Sequence, residues 1–416
     1  MNLRAVALAA AFGAATASPT AARQVTSAAL VDRDLTVGAG ATIAATLGEA
    51  LARVADAHVP HRLFEEHGIA RRGTNVAFRL LKLVALDAPQ EHLLLVLNHE
   101  VFGHGARLRE RFDGPITYRI GVPSPYGRGG GSTSFVFDRV PSAYEVMAVH
   151  TGGMEVDGVA AALTSHRAFS AQQMRPRDAV RYLAFELDTL SYVLSTDDDG
   201  EEPGHDVADF LETYNRVAVA AGAAPLRPRA LRRQALVGFA NPMLAYAAYG
   251  IGRHLATGAT DVAVPALSIA GVRYLPMFRY RLAPYGTEWS LVNELGGRIR
   301  PTQIELRLGR APHTTPWGVR VRQRELMSWR DWSLEASIEV WRQPRLALQA
   351  DESLSASPRA GVQVRGRVER AFLPVWFSAD RATIVVDLGV KSRGFVPGEP
   401  LRGGAVVRGG VGLPLQ

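Results

Sequence analysis

The run Asn98-His99-Glu100-Val101-Phe102-Gly103-His104-Gly105 sets two imidazoles and a carboxylate directly after a wholly apolar turn, Leu93 to Leu97. Such groups are costly in apolar surroundings unless they pair with one another or bind an ion. The pattern therefore points to a metal or catalytic site, with hydrogen-bonded core packing as the plainer reading. Spacing complicates it. On an ideal helix, residues five apart differ by about 140° in azimuth and residues four apart by about 40°. Glu100 and His104 thus share a face, and His99 lies off it. Two arrangements would still make a metal site. A one-residue π-bulge at Gly103, a distortion that gathers at functional sites, would turn both histidines to one ion. Alternatively, Glu100 and His104 form the ligand pair and His99 stands behind them. A second constellation, His150-Thr151-Gly152-Gly153-Met154-Glu155-Val156-Asp157, lies in another apolar helical stretch. Gly152 and Gly153 would let that helix approach the first closely, as a shared ion requires.

The first run resembles the His-Glu-x-x-His helix of zinc metallopeptidases that use a glutamate as third ligand, with one extra residue between the histidines, and the resemblance extends over residues 92–160. It implies that His99 and His104 bind zinc and that Glu155 supplies the third ligand from the downstream helix. It further implies that Glu100 takes the proton of a metal-bound water, with His150 as oxyanion stabiliser or fourth ligand. The reaction implied is metal-assisted hydrolysis. A peptide bond is the first substrate to expect, and a lipid ester or cell-wall amide the next. Glu186 and Asp188 are candidates to orient the ligating imidazoles.

The chain contains no cysteine, so any ion must be held by His, Asp or Glu. No Gly-x-Ser-x-Gly elbow occurs, which argues against a serine hydrolase of the α/β type. The glycine cluster from Tyr126 to Phe135 lacks the Lys-Ser/Thr ending of a phosphate-binding loop and reads as a flexible loop or lid. The acidic stretch Asp197-Asp198-Asp199 with Glu201 and Glu202 lacks the ligand spacing of a calcium loop and reads as solvated. The formal charge is +7, but Lys82 and Lys391 are the only lysines and no aromatic and basic interleaving occurs, so nucleic acid is not an expected partner.

The positioning elements follow from periodicity. Apolar residues recur three and four apart over Thr42–Ala57, Asn75–Leu86, His92–Arg111, Ala143–Leu163, Arg177–Leu194 and Val207–Ala221, which predicts helices separated by prolines. From about Gly271 the period falls to two. Eight strands are predicted: Gly271–Leu282, Glu288–Leu295, Pro301–Leu308, Gly318–Leu326, Ser333–Trp341, Gly361–Arg370, Thr383–Val390 and Gly404–Leu413. Adjacent strands without intervening helices call for a closed barrel or a sandwich. A barrel with Arg and Glu on one face and aromatic residues near its strand ends, such as Tyr274, Trp289, Trp317, Trp341 and Phe395, resembles bacterial outer-membrane barrels over residues 266–416. Arg4, the apolar run to Ala17 and Ala15-Thr16-Ala17 read as a signal peptide.

These readings combine into an α+β protein with a signal peptide (1–17), a helical metal-site domain (18–265) and an antiparallel β-barrel of about eight strands (266–416). The expected function is that of an exported zinc-dependent hydrolase, peptidase-like, acting on a peptide or envelope substrate. It would sit at the bacterial outer membrane, with the metal-site domain in the periplasm or barrel lumen. One rival is a non-enzymatic outer-membrane barrel with a helical plug or periplasmic domain. Another is an intramembrane protease spanning the inner membrane through the uncharged stretch Gln234 to Gly252. Oligomeric state is left open.

Overall fold

The computed structural model describes residues 26–65, 68–122, 130–198, 204–350, 352, 357–374 and 381–414. The segment read as a signal peptide, residues 126–129 of the glycine cluster and the centre of the acidic loop lie outside the described residues. Every predicted helix is present. Helix α1 spans Val37–His58. A single helical run from Ile69 to Arg111 follows, made of α2 (Ile69–Lys82), a π segment (Leu83–Asp87), α3 (Ala88–Leu97), a second π segment (Asn98–His104) and α4 (Gly105–Arg111). Then come α5 (Ala143–Ala171), α6 (Pro176–Ser195), α7 (Asp206–Ala220), α8 (Pro228–Ala235) and α9 (Pro242–Thr257). Helix α5 starts where Ser142 and Glu145 cap each other's backbone N–H groups, a Ser-x-x-Glu capping box. Prolines at the first turns of α6, α8 and α9 set their starts.

No helix among the described residues is long and apolar enough to cross a membrane. The stretch Gln234 to Gly252 is not one helix. It divides into the end of α8, a 3-10 turn at Leu236–Ala240 and α9, with Asn241 breaking the chain's direction and accepting from Met243 N to cap α9. The inner-membrane reading of this stretch is thereby withdrawn.

Strand β1 (Thr26–Val31) precedes the helices, and a small hairpin, β2 (Ile116–Ile120) with β3 (Gly131–Phe135), lies between them. The eight predicted strands all form: β5 (Val272–Ala283), β6 (Gly286–Gly297), β7 (Thr302–Arg310), β8 (Trp317–Trp329), β9 (Trp332–Pro344), β10 (Pro358–Pro374), β11 (Arg381–Lys391) and β12 (Gly404–Pro414), preceded by the short β4 (Leu267–Ile269). They build one antiparallel sheet of ten strands in the order β1-β12-β11-β10-β9-β8-β7-β6-β5-β4. The sheet therefore draws one strand from the amino-terminal half, with Thr26 opposite Pro414 and Val31 opposite Gly409.

The sheet is not closed into a barrel: among the described residues its edge strands β1 and β4 do not pair. A helix occupies the place of the missing neighbour. Thr42 of α1 accepts from Leu30 N at 2.9 Å and donates its own proton to Ala39 O at 2.7 Å, so a side chain pairs the outward N–H of Leu30 on the edge of β1. The sheet nonetheless curls. Residues of β5 to β10, β12 and β1 line one cavity of about 140 Å³ together with α5 and α6. Helix α5 runs through the concave side, tied to it by Ser165, which accepts from Arg279 at 2.8 Å, and by His166, which pairs with Glu294 at 2.9 Å. The concave face is charged and buried: Arg281 meets Glu305 at 2.8 Å, Arg322 meets Glu335 at 2.6 Å, and Arg307 pairs with Glu339. Leu275, Met277, Val292 and Val385 are buried with these charges, whereas Leu306, Leu308, Ile338, Val364 and Val390 are exposed on the other face.

Candidate metal centre

The second π segment resolves the spacing problem at its source. A π turn closes its hydrogen bond five residues back, so His99 and His104 are brought over one another, their ring centroids 4.9 Å apart. Of the two arrangements open from sequence, this is the π-bulge at Gly103. The turn is possible because three glycines meet there. A Cβ on Gly103 would sit 2.4 Å from Gly153 Cα, and one on Gly152 would sit 2.9 Å from Gly103 O. The π segment and α5 thus pack backbone on backbone.

Both imidazoles aim at Asp206, the first residue of α7. His99 Nε2 and His104 Nε2 each lie 3.2 Å from the same oxygen, Asp206 Oδ2. His104 donates its Nδ1–H to the carbonyl of Val149 at 2.7 Å, and His99 donates Nδ1–H to Asp157 Oδ2 at 3.0 Å. Asp188 Oδ2 stands 3.3 Å from the same Nδ1. Asn98 in turn donates to Asp157 at 2.7 Å, and the Tyr192 ring stacks on His99 at 5.3 Å and 14°. The centre is buried, with Asp206 the most accessible of the three groups and His150 and Asp209 at its open side. His150 Nδ1 is 3.9 Å from Asp206 Oδ1 and 3.8 Å from Asp209 Oδ2.

Two buried groupings could hold a metal ion, His99–His104–Asp206 and His99–Asp157–Asp188, each with its donor atoms within 4.8 Å of one another. Without an ion the same groups hold protons as imidazolium–carboxylate pairs. Burial alone would lower the pKa of His99, but Asp188, Asp157 and Asp206 outweigh it and hold it well above the ordinary value. His104 is likewise raised against burial, chiefly by Asp206. Burial would raise the Asp206 carboxyl, yet His104, His150 and His99 hold it well below the usual carboxylate range. Burial and the neighbouring Asp188 charge push Asp157 up to about 7.

Glu100 is buried beside this cluster. Its Oε2 accepts from the Thr133 hydroxyl at 2.6 Å, and Gly131 presses so close that a Cβ there would lie 2.6 Å from Glu100 Cγ. The β2–β3 hairpin therefore covers Glu100, and the described end of the glycine cluster is strand β3.

Glu155 does not join the cluster. Its carboxylate takes both Arg107 Nε at 3.0 Å and Arg107 Nη2 at 2.6 Å, and accepts from Gly398 N at 2.8 Å. The carboxylate that faces both imidazoles is instead that of Asp206. Glu186 also serves elsewhere, accepting from Asn241 at 3.1 Å and lying 3.6 Å from Arg279, whereas Asp188 does stand behind His99. Asp206 was not singled out from sequence, although it directly precedes the helical period that begins at Val207. A consequence can be measured. In Glu155→Ala the fully buried Arg107 keeps only Glu110 and the Glu399 carbonyl as partners, so unfolding stability should fall by about 3 kcal/mol. Metal content should stay as in the parent.

Comparison with protein-family models, with curated proteins and with solved structures gives no match.

Proposed function

We propose that this protein is a metal-dependent hydrolase whose ion is held by His99 Nε2, His104 Nε2 and a carboxylate oxygen of Asp206. What supports this reading most is the convergence of His99 Nε2 and His104 Nε2 on one oxygen of Asp206, 3.2 Å from each. A carbonyl oxygen can only accept, so Nδ1 carries the hydrogen toward Val149 O, and in the neutral ring Nε2 is a bare lone pair facing the Asp206 carboxylate at 3.2 Å. Two such electron-rich atoms stay that close only with a proton or a cation between them. Donor atoms sharing a tetrahedral zinc lie about 3.4 Å apart, near the 3.2 Å found for both imidazoles. The nitrogen and oxygen set suits zinc among divalent ions.

An ion held there would supply Lewis-acid chemistry, acidifying a water and polarising a scissile carbonyl. Glu100 accepts the water's proton and passes it to the leaving group, while Thr133 orients one of its oxygens. Asp157 and Val149 O fix the tautomers that present Nε2 of each ligand. His150, one-fifth exposed on the open side, stabilises the negative charge developing on the substrate oxygen, with Asp209 behind it. The substrate proposed is a peptide or another acyl compound of the cell envelope.

Metal analysis and peptide-library hydrolysis by the purified chain test this. About one zinc per chain is expected, lost in His104→Ala and Asp206→Ala but kept in Glu100→Gln, whose turnover should fall roughly 10²- to 10⁴-fold. A metal-free protein whose melting ignores both zinc and chelator would sink the proposal. It would leave the non-enzymatic reading.

A further inference from the structure

We propose that the convex face of the ten-stranded sheet sits in the hydrocarbon of a lipid bilayer, with helix α1 sealing the seam at β1. The sheet's polarity is inverted relative to one that faces water. On β7, Glu305 and Arg307 are buried while Leu306 and Leu308 are exposed; on β11, Asp387 is buried while Leu388 and Val390 are exposed, Val390 at 65%. Strands β9, β10 and β12 repeat this with Ile338, Val362, Val364 and Val407. With strands about 4.8 Å apart, this face is broader than the few hundred Å² of apolar surface that monomers in water usually show. Charges inside and aliphatic groups outside are the arrangement of a strand between a polar lumen and lipid.

Dimensions agree with that solvent. Trp317 and Trp329 begin and end the 13-residue strand β8, and both are exposed, as is Trp332 across the turn. Allowing for the bulge between Gln323 and Met327, about ten steps of about 3.3 Å, tilted by about 45°, rise roughly 23 Å, close to the apolar band of about 25 Å on membrane barrels. The guanidinium groups of Arg330 and Arg370 sit 4.8 Å and 4.9 Å from the Trp329 and Trp332 rings. Such indole and cation pairs suit the headgroup level.

An open sheet would strand backbone N–H and C=O groups in hydrocarbon, where each costs several kcal/mol. Here the exposed edge is sealed by side chains. Thr42 accepts from Leu30 N at 2.9 Å, and one turn further along α1 the Thr46 hydroxyl meets the Ser27 hydroxyl at 3.1 Å. Leu47 and Val54 of α1, both exposed, carry the apolar surface past the seam. At the other edge the 3-10 turn packs on β5 and exposes Leu236, Val237 and Phe239. The face curves around α5, so a second copy of the chain would cover only part of it. Acyl chains can cover it all.

The test uses the full chain with phosphatidylcholine vesicles and needs no ligand. Wild type should co-float with the vesicles, and lipids brominated near the headgroup should quench its tryptophan fluorescence more than lipids brominated at the chain ends. Val364→Arg with Leu388→Arg, harmless on a wet surface, should cut the vesicle-bound fraction roughly tenfold or more. Val122→Arg with Val140→Arg, exposed outside the sheet, should leave it unchanged. Protein that stays monomeric without detergent and does not float overturns the proposal. So does a defined oligomer that the Val364/Leu388 variant breaks apart, which would make the face a protein interface. Neither outcome depends on whether zinc is bound.

Discussion

Gly153→Ala is expected to strip the protein of its ion and to lower its stability together. A Cβ at this position would lie 2.2 Å from His99 Nε2, 2.3 Å from Cδ2 and 2.4 Å from Cε1. The ring cannot simply swing aside. Its Nδ1 is held by Asp157, and one face is covered by Tyr192. Nor can α5 back away without breaking the contact between Gly153 and Gly103. Overpacking of this kind costs about 1–3 kcal/mol. Displacing a ligating nitrogen should weaken metal binding at least as much as losing an orienting partner does, roughly 10- to 100-fold. Gly158→Ala supplies the control, since nothing lies within 4 Å of a Cβ there. That change should be neutral or stabilise the helix by up to about 1 kcal/mol. Competition for zinc against a chelator, run beside thermal melting, reads both effects. Unchanged zinc affinity in Gly153→Ala would mean that His99 is not a ligand in the folded protein.

The same glycines explain how much of the centre could be read from sequence. His99, Glu100 and His104 were visible because polar groups inside an apolar helix are costly and therefore informative. The π-bulge at Gly103 was one of two arrangements the spacing allowed, the other pairing Glu100 with His104, and the π segment decides between them; the close approach at Gly152 and Gly153 was legible in the glycines themselves. The acidic partner was not legible. Glu155 faces the proper helix but is drawn away by Arg107, a residue 48 positions distant in sequence, and nothing in either local pattern announces that pairing. Asp206 reaches the centre only through the packing of α7 on α5, a tertiary fact with no local signature. The sheet divides in the same way. Alternation located all eight strands, because period two is a property of each segment alone. Closure was beyond it. Whether the first and last strands meet depends on the amino-terminal strand β1 and on Thr42 of α1 standing where another strand would pair.

Acidity and metal should act in opposite directions on the stability of this fold, and that opposition is the second large effect to expect. In the metal-free protein the pKa values of His99 and His104 are raised above their unfolded value of 6.5. A group held more tightly protonated in the folded state contributes stability that is complete below the unfolded pKa and is lost as pH rises through the folded one. Asp157, raised from 3.8 to about 7, has the same sign and loses its contribution across the approach to neutrality. Asp206, which is lowered, acts the other way, but its contribution vanishes only on acidification below 3.8 and does not enter this window. Without metal, then, melting temperature should fall from pH 6.5 to 8.5 as lone pairs are left facing carboxylates. With zinc the dependence reverses. The ion needs both imidazoles deprotonated, so its binding strengthens as the protons leave. At a free zinc concentration a thousandfold above the dissociation constant it contributes about 4 kcal/mol. Melting curves recorded with chelator and with zinc should therefore diverge as pH rises, and the divergence should vanish in His104→Ala. Parallel curves in the parent protein would show that zinc and protons do not compete for the same nitrogens. The pairs at 3.2 Å would then be ion pairs of the core, with imidazolium as their permanent state.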